Sequence, residues 1–301
     1  MSGAVAVSGA SGFIGSAVVA ALEADGKHVI RLVRRPAAAS NEVAWNPDAG
    51  QIDAARLEGL DAVVHLAGES IAGGRWNAER KQRIRQSRVK GTGLLAGTLA
   101  GLARKPRVLV SGSAMGIYGD RGDDVLTESE PPGSGFLAEV GRAWEAAADP
   151  ARLAGIRVVH PRFGMVLHPG GGALERMLPP FRMGFGGHLG NGHQWMSWVS
   201  RDDAIGIIRT AIETDSLSGP VNATSPNPVR NAEFTKALGA ALHRPAVAAV
   251  PAIALQLMFG ELAKEALLAS QRMIPVRLQE LGYEFRNPDL APTLVSLLSA
   301  S

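Results

Sequence analysis

The segment VAVSGASGFIGSAVVAAL places three glycines, Gly9, Gly12 and Gly15, between an apolar run and a helical pattern. Glycine at the first position permits a tight turn, at the second lets the backbone approach a pyrophosphate, and at the third allows close helix–sheet packing. The first N–H groups of a helix have no partner within it and can donate to phosphate oxygens. We therefore expect a dinucleotide site here, with a tight turn that binds no ligand as the alternative. The expected loop contacts are Gly9, Ser11, Gly12, Phe13, Ile14 and Gly15.

Two arginines follow the second apolar run, in RLVRRP, where a site for NAD(H) usually carries an acidic residue. Arg34 and Arg35 would instead pair with a 2′-phosphate, which an acidic residue would repel. The sequence therefore favours NADP(H) over NAD(H). The alternative is that both arginines are solvated on a surface turn.

Glu69 directly follows the apolar run AVVHLA at 62–67. In open α/β sheets, ligands bind outside the carboxyl ends of the strands, so this carboxylate is a candidate for proton transfer. The alternative is a carboxylate that caps a helix.

The elements that would position these residues alternate between short apolar runs and longer helical patterns, which is typical of βαβ units and a parallel sheet. The predicted strands are 4–8, 28–33, 62–67, 107–112, 156–162 and 219–224. The predicted helices lie near 13–25, 78–102, 135–153, 201–213 and 231–243. After residue 163 the chain becomes rich in glycine, methionine and tryptophan, and such segments often form loops over a site.

Composition excludes several classes of protein. A net charge of +3, from 31 Lys+Arg and 28 Asp+Glu, is too balanced to indicate nucleic-acid binding. The absence of cysteine excludes disulfides, thiolate metal sites and cysteine nucleophiles. His188 and His193 lie in a glycine-rich segment rather than at metal-ligand spacing, so no metal is expected. The apolar segment 252–270 carries three charged residues, which favours a buried or interfacial helix over a membrane span.

The amino terminus lacks a basic stretch followed by an apolar run and a cleavage site, so a cytoplasmic location is expected. The basic run at 75–90 lacks interleaved aromatic residues, and a solvated helix face is preferred there over RNA binding. The expected partner is an unknown small molecule, with neither nucleic acid nor membrane. A monomer and a homodimer both remain open.

Several motifs resemble those of extended short-chain dehydrogenases/reductases. SGASGFIG is similar to their glycine signature, LDAVVHLAG at 60–68 to their third-strand motif, and VLVSGSAMGIYG at 108–119 to the strand that delivers a catalytic Ser or Thr. Further motifs, including HLAGESI, SRVKGT and IPVRLQELGYEF, resemble the atypical epimerase-family proteins, sometimes labelled cell-division inhibitors, which end in a domain of unknown function.

This resemblance implies a Rossmann-type doubly wound parallel α/β sheet with a smaller, mixed α/β C-terminal subdomain. It implies bound NADP(H) and no established substrate. We expect residues 1–162 and 195–224 to form the NADP(H)-binding domain, and 163–194 and 225–301 the substrate subdomain. The further cofactor contacts that it implies are Leu66, Ala67, Gly68, Arg88, Ser111, Gly141 and Arg162.

The wider superfamily uses a Tyr and, four residues later, a Lys that lowers the tyrosine pKa. When the helix GFLAEVGRAWEAAA is registered through Glu145, Leu137 lies at the Tyr position and Gly141 at the Lys position. Neither can transfer a proton. We expect Gly141 to let the cofactor ribose or a water approach where a Lys would reach.

Ser113 lies at the position of the catalytic Ser. The residue type fits a catalytic serine and a serine that caps the strand end about equally well. Tyr118 follows it at the expected site, but extended enzymes often have a Tyr there beside their catalytic one. Ser113, Glu69 and Tyr118 are the candidate catalytic residues.

Two groups of side chains, if they converge, would form an aromatic pocket with cationic corners for an anionic substrate. They are Arg75, Trp76 and Lys81 from one segment, and Gln194, Trp195 and Trp198 from another. Core packing is the alternative for the tryptophans.

Two functions are compatible with these residues. The first is an NADP(H)-dependent oxidoreductase or epimerase with atypical catalytic residues, acting on a small anionic compound. The second is a non-catalytic NADP(H)-binding redox sensor or regulator, which needs no Tyr–Lys pair.

Overall fold

A computed structural model describes residues 3–299 of the chain. Its strands are β1 (Ala4–Ser8), β2 (His28–Val33), β3 (Glu42–Asn46), β4 (Gln51–Ile52), β5 (Ala62–His65), β6 (Val108–Ser111), β7 (Ser113–Ala114), β8 (Val125–Leu126), β9 (Arg157–Phe163), β10 (Met165–His168), β11 (Gly187–Leu189), β12 (Trp195–Met196), β13 (Trp198–Ser200), β14 (Gly219–Ala223), β15 (Val229–Arg230), β16 (Ala248–Val250) and β17 (Arg272–Met273).

The helices are α1 (Gly15–Ala24), α2 (Ala78–Gly101), α3 (Phe136–Ala146), α4 (Asp149–Leu153), α5 (Gly172–Arg182), α6 (Arg201–Glu213), α7 (Asn231–Ala241), α8 (Ala252–Phe259), α9 (Val276–Glu280) and α10 (Leu290–Ser299). Short 3-10 turns occupy Ala54–Leu57 and Met115–Tyr118, and a π-helical turn occupies Ala263–Leu267.

The central sheet has the order β14-β9-β6-β5-β1-β2-β3-β4, with β7 beside β9. All its pairs are parallel except β3–β4. The chain builds outward from β1 through β2 and then, on the other side, through β5, so the strand order reverses between β1 and β5. Ligands bind at such a switch point in doubly wound folds. The predicted α/β fold with a doubly wound parallel sheet is confirmed.

Both faces of the sheet are covered, which is why its strands are apolar without alternation. On β1, Val5 and Val7 pack with α1 and α6 on one face, whereas Ala6 packs with α2 and α4 on the other. All three are fully buried.

The six predicted strands and five predicted helices are all present, with end points that differ by a few residues, and the helix predicted at 135–153 is divided into α3 and α4. The sequence did not predict α5, because glycines at 170–172 and two prolines within the helix conceal its periodicity. It also did not predict β3, β4, α9, α10 or the short strands outside the six predicted ones. The helix predicted within 252–270 is shorter than that segment. It ends at Phe259 because Gly260 follows with a φ of 61°.

The remaining strands form two-stranded sheets, β10–β13, β11–β16, β12–β15 and β8–β17. The carboxylate of Asp203, at the start of α6, accepts hydrogen bonds from the backbone N–H groups of Arg286 (2.8 Å) and Asn287 (3.0 Å). This buried contact attaches the C-terminal segment to the helix layer of the central sheet.

The domain boundaries stay a prediction. Within residues 3–299, no helix has the length and apolar character needed to cross a membrane.

Candidate functional site

The glycine loop lies at the carboxyl end of β1, beside the end of β5. Gly9 has a φ of 68°, and a Cβ there would lie 2.8 Å from the carbonyl carbon of Leu66. A Cβ on Gly15 would lie 2.1 Å from the Gly9 oxygen, so α1 can start this close to the loop only with glycine. The N–H of Gly12 donates to the Gly9 oxygen at 2.9 Å and closes the turn.

Ser8 connects β1 to the chain that leaves β5. Its Oγ lies 2.6 Å from Nδ1 of the buried His65 and accepts hydrogen bonds from the N–H groups of Leu66 (3.2 Å) and Ala67 (3.4 Å). Burial lowers the pKa of His65 to about 4, so this imidazole is neutral at pH 7. The predicted contact segment 66–68 is therefore held beside the glycine loop.

Phe13 of the loop packs against the turn before α5. A Cβ on Gly171 would lie 2.2 Å from the Phe13 ring, and the Arg201 guanidinium lies 5.8 Å from the ring centre. The segment after residue 163 thus contacts the loop, while Ser11 and Gly12 remain exposed.

The two arginines after β2 have different environments. Arg35 donates two hydrogen bonds to Glu42 on β3, at 2.8 and 2.5 Å. Those bonds, together with the N–H of Ala38, lower the pKa of Glu42 to about 2. Arg34 is exposed and makes no hydrogen bond or ion pair with any other residue of the described chain. Of these two arginines, Arg35 is therefore paired and Arg34 is not.

Glu69 lies past the end of β5, next to Arg88 of α2. The N–H of Glu69 donates to Ser87 Oγ (3.0 Å), and its carbonyl accepts a hydrogen bond from Arg88 Nη1 (2.9 Å). The Arg88 guanidinium stacks at 5.0 Å over the ring of Trp144, and burial lowers the pKa of Arg88 to about 10. The half-buried carboxylate of Glu69 has no hydrogen-bond partner within residues 3–299. It remains a candidate for proton transfer.

Ser113 and Tyr118 belong to a buried network. Ser113 Oγ donates to Glu145 Oε1 (2.7 Å), and both Glu145 oxygens accept hydrogen bonds from Arg162 (2.8 and 2.9 Å). Arg162 Nη1 also donates to the Tyr118 hydroxyl (2.8 Å), which in turn donates to Asn222 Oδ1 (2.7 Å).

This network alters the predicted roles of its members. Tyr118 is fully buried, and burial raises its pKa, so the expectation that Tyr118 acts as an acid is not supported. Ser113 is 2% exposed and its only proton is directed at a carboxylate, whereas its neighbour Ala114 is exposed. Arg162 is 5% exposed, and its guanidinium already donates hydrogen bonds to Glu145 and Tyr118. Ser111 is also buried, and its hydroxyl has no partner among the described residues.

The expectation that Gly141 opens space for the cofactor is wrong. Gly141 is buried, and a Cβ there would lie 2.8 Å from Cβ and 3.0 Å from Cγ1 of Ile117. The absent side chain admits the 3-10 turn that contains Ile117. Leu137, at the Tyr position, packs next to Gly116 of the same turn.

The first group of predicted pocket residues lies near the start of α2. The indole N–H of Trp76 donates to the Ile71 carbonyl (2.8 Å), and its ring meets Phe136 edge-on with centroids 5.1 Å apart. Lys81 pairs with Glu261 at 2.8 Å, so its charge is compensated. Arg75 is exposed, and its guanidinium lies beside Gly260.

The second group divides between a core and a surface. Trp198 is fully buried and packs in the apolar core around Phe234, so its predicted place in the pocket is wrong. The amide of Gln194 donates to the carbonyls of Leu189 (3.1 Å) and Leu267 (3.2 Å). The amide N–H groups of Gln194 therefore have their hydrogen-bond acceptors inside the protein.

Trp195 is the exception, because it lies between two cations. The guanidinium groups of Arg230 and Arg272 stack over its ring at 4.2 and 4.4 Å, and its indole N–H donates to Asp123 (2.9 Å). Neither arginine was expected at this position. Arg230 and Arg272 lie 35 and 77 residues after Trp195 in the sequence, and no local pattern predicts that they contact its ring. Trp198 is therefore excluded from the predicted pocket, and the convergence of the other five residues stays a prediction.

Among residues 3–299, no group of three or more His, Asp or Glu side chains is arranged to hold a metal ion.

A doubly wound fold with this glycine loop defines a class of dinucleotide-binding proteins. The model of the NAD dependent epimerase/dehydratase family matches residues 5–223, and that of a domain of unknown function (DUF1731) matches residues 250–297. The chain belongs to the NAD dependent epimerase/dehydratase family, and the resemblance drawn from its motifs is confirmed.

Three similar proteins illustrate this membership. An epimerase family protein of Mycobacterium bovis is 45% identical over 292 residues, which cover 96% of each chain. The crystal structure of the human epimerase family protein SDR39U1 with NADPH has a TM-score of 0.90 at 34% identity, covering 99% of this chain and 100% of the human one. A nucleoside-diphosphate sugar epimerase from Corynebacterium glutamicum has a TM-score of 0.82 at 38% identity, covering 100% of this chain and 59% of the other.

Proposed function

We propose that this protein is an NADP(H)-dependent oxidoreductase or epimerase that acts on a small anionic compound, with Glu69 as the proton-transfer group. The observation that carries the proposal is the position of Glu69 past β5, at the switch point of the sheet, with a carboxylate free of hydrogen bonds among the described residues. Ser113 and Tyr118 are enclosed in the buried network.

The residues fit NADP(H). Glycines at 9 and 15 let the turn approach the backbone of Leu66 and let α1 start against the Gly9 carbonyl. The exposed loop and the first N–H groups of α1 could then donate to a pyrophosphate. The exposed and unpaired Arg34 would hold the 2′-phosphate, and the segment 66–68 would border the cofactor. Bound NADPH in the human relative supports the same cofactor here.

The cofactor, when bound, supplies the hydride chemistry. Glu69 would accept a proton from a substrate hydroxyl during oxidation and return it to the oxygen during reduction. Arg88, stacked on Trp144 and bonded to the Glu69 carbonyl, holds this part of the chain in place. The substrate class is supported by the relative named as a nucleoside-diphosphate sugar epimerase, since such a substrate is anionic.

A non-catalytic NADP(H) sensor is the second candidate. The observation in its favour is the enclosure of Ser113 and Tyr118, together with the side chain of Ile117 against Gly141. In this case the cofactor would bind without a reaction.

Transfer of deuterium tests the two candidates. The protein is incubated with NADPH deuterated stereospecifically at C4 and a panel of carbonyl compounds that includes keto derivatives of nucleoside-diphosphate sugars. In a second arm it is incubated with NADP+ and nucleoside-diphosphate sugars that carry deuterium at the carbinol carbon to be oxidised. Deuterium should appear in one compound, and Glu69→Gln should abolish the transfer while NADPH binding is retained. Ser113→Ala, a change at a buried position whose hydroxyl donates to Glu145, should retain most of the activity.

Transfer that survives Glu69→Gln would reject this carboxylate as the proton-transfer group. Tight NADPH binding with no transfer to any compound would favour the sensor.

A further inference from the structure

Residues 69–77 connect β5 to α2 without forming a helix or a strand, and we name this segment the strap. A hydrogen bond fixes each end of it. The N–H of Glu69 donates to Ser87 Oγ (3.0 Å), and Asn77 Oδ1 accepts from the N–H of Arg80 (2.8 Å) and caps α2. The strap therefore has two fixed ends and starts at the carboxyl edge of the sheet.

Three consecutive carbonyl groups of the strap accept hydrogen bonds from side chains. Those of Ser70 and Ile71 accept from donors on α2 and within the strap itself, at 2.7 and 2.8 Å. The next carbonyl, that of Ala72, accepts from Arg176 Nη1 on α5 at 2.5 Å. Within residues 3–299 this is the one hydrogen bond between the strap and α5, and it is exposed. A single bond thus connects the middle of the strap to that helix.

The face of α5 that carries Arg176 also contacts the glycine loop. Gly172 and Arg176 lie four residues apart, and residues at this spacing are neighbours on a helix surface. A Cβ on Gly172 would lie 3.1 Å from Cε1 of Phe13, in the loop after β1. The first turn of α5 therefore extends from the glycine loop to the strap.

These contacts complete a ring of residues around the switch point of the sheet. On one side of the ring, Ser8 Oγ joins β1 to the N–H groups of Leu66 and Ala67 after β5. On the other side, α5 joins the glycine loop after β1 to the strap after β5. The ring therefore encloses the carboxyl ends of the two strands between which the strand order reverses, where doubly wound folds bind their ligands.

Arg34 indicates which half of the cofactor the strap would face. It follows β2, which lies on the opposite side of β1 from β5. A dinucleotide with its pyrophosphate at the glycine loop and its 2′-phosphate at Arg34 extends its nicotinamide half toward β5 and the strap. That half would pass the bond between Arg176 and Ala72 when the cofactor enters or leaves.

We propose that the strap is a lid over the nicotinamide half of NADP(H), latched by the hydrogen bond from Arg176 to Ala72. The closed lid excludes water from the place where the hydride chemistry occurs and delays release of the cofactor. Arg176 is a positioning residue, because it acts on the cofactor through the strap. This inference rests on the cofactor of the proposed function and not on its reaction.

The strap is built for such a movement. Gly73 and Gly74 follow the latched residue and are exposed, and Gly74 has a φ of 130°, which glycine adopts far more readily than other residues. The far end stays attached, since the Trp76 ring meets Phe136 edge-on with centroids 5.1 Å apart. Breaking one exposed hydrogen bond therefore frees the middle of the strap from α5 while both of its ends stay in place.

Release of NADPH, measured by stopped-flow fluorescence, tests the latch. Arg176→Met removes the donor and should accelerate NADPH dissociation about 10-fold or more, because the closed state loses a hydrogen bond from a charged group. The control is Arg182→Met, the same change on the same helix at an exposed arginine whose side chain makes no hydrogen bond or ion pair within residues 3–299. It should leave the rate unchanged.

A fragment of the cofactor separates the latch from a direct contact with phosphate. Adenosine 2′,5′-bisphosphate lacks the nicotinamide half, so the lid has nothing to retain. Its dissociation rate should be the same in the wild-type protein and in Arg176→Met.

A chemical cross-link tests the same movement independently. The chain contains no cysteine, so Ala72→Cys combined with Arg176→Cys supplies its only two thiols. A short bismaleimide that joins them should make release of previously bound NADPH at least about 100-fold slower, and should prevent the empty protein from loading NADPH. Ala72→Cys alone, treated with the same reagent, is the control and should release NADPH as the untreated variant does.

NADPH release that neither Arg176→Met nor the cross-link alters would overturn the proposal. Faster release of both NADPH and the bisphosphate from Arg176→Met would assign Arg176 to the phosphate groups and reject the latch. A cross-link that traps NADPH in a protein that transfers no deuterium would support the lid and reject the proposed reaction.

Discussion

Arg162 on β9 and Glu145 on α3 form a bidentate ion pair at the carboxyl edge of the sheet, with Nε–Oε1 and Nη2–Oε2 distances of 2.8 and 2.9 Å. Their side chains are 6% and 15% exposed. Burial alone would raise the pKa of Glu145, but the hydrogen bonds and charge of Arg162 outweigh it, and the pKa lies below its usual value. The pair thus fixes α3 on β9. Because Glu145 stays ionised, the Ser113 hydroxyl donates its hydrogen bond to a carboxylate.

Removing one member of this pair should be costly. Arg162→Met leaves the Glu145 carboxylate buried without its partner and should reduce the free energy of unfolding by about 3–5 kcal/mol. Urea unfolding at pH 7 measures the change. Arg83→Met, which breaks the exposed pair of Arg83 with Glu79, is the control and should cost less than about 1 kcal/mol. Equal losses in the two variants would refute the structural role of the buried pair.

Gly141→Ala should separate packing from cofactor binding. The added Cβ would lie 2.8 Å from Ile117 Cβ, so the substitution should cost about 1–3 kcal/mol of stability without changing NADPH affinity. Gly97→Ala is the matched control in α2, where a Cβ meets nothing within 4 Å, and it should stabilise the protein by about 0.5–1 kcal/mol. Calorimetric titration with NADPH supplies the affinities. Weaker NADPH binding by a stably folded Gly141→Ala protein would return this position to the cofactor site.

His65 should make stability fall in mild acid. Burial lowers its folded-state pKa to about 4, whereas the unfolded chain has the ordinary value of about 6.5. Between these values the unfolded state binds more protons, so stability is lost as the pH falls from about 6.5 to 4, by up to about 1.4 kcal/mol per pH unit.

The measurement is urea unfolding across this pH range. His65→Gln should reduce the slope, and His28→Gln, at an exposed position, should preserve it. An unchanged slope in His65→Gln would show that other groups dominate the acid response.

Arg34 should determine the preference for NADPH over NADH. A guanidinium pair with the 2′-phosphate contributes about 1.5–3 kcal/mol, so Arg34→Ala should reduce the affinity ratio by about 10–100-fold. Arg35→Ala should have a smaller effect because Glu42 already occupies that guanidinium. Tryptophan fluorescence titration with both cofactors provides the ratio. A larger loss in Arg35→Ala would reverse the assignment of these two arginines.

The fold and the glycine loop were predictable because their signals are local. The turn glycines, the strand before them and the helix after them lie within the first 25 residues, and the periodicity of each strand or helix is contained in its own segment. Several elements were not predicted: α5, whose pattern is obscured by neighbouring glycines and internal prolines, and also α9, α10 and the short strands after residue 163.

The roles of the candidate site residues depended on partners distant in sequence. The proton of Ser113 goes to Glu145, 32 residues away, and the Tyr118 hydroxyl meets Asn222, 104 residues away. Residue type and spacing indicate what a hydroxyl can do but not which acceptor lies next to it in the folded chain. Packing alone decided that Gly141 admits Ile117 rather than a cofactor.

The sequence by itself determined a doubly wound α/β protein with a pyrophosphate loop and two basic residues after the second strand. The tertiary structure decided which of the two arginines is unpaired, because β3 brings Glu42 to Arg35. It likewise separated Trp198, in a core, from Trp195, between two arginines. These outcomes depend on contacts between distant segments, which form only when the sheet and its helices are assembled.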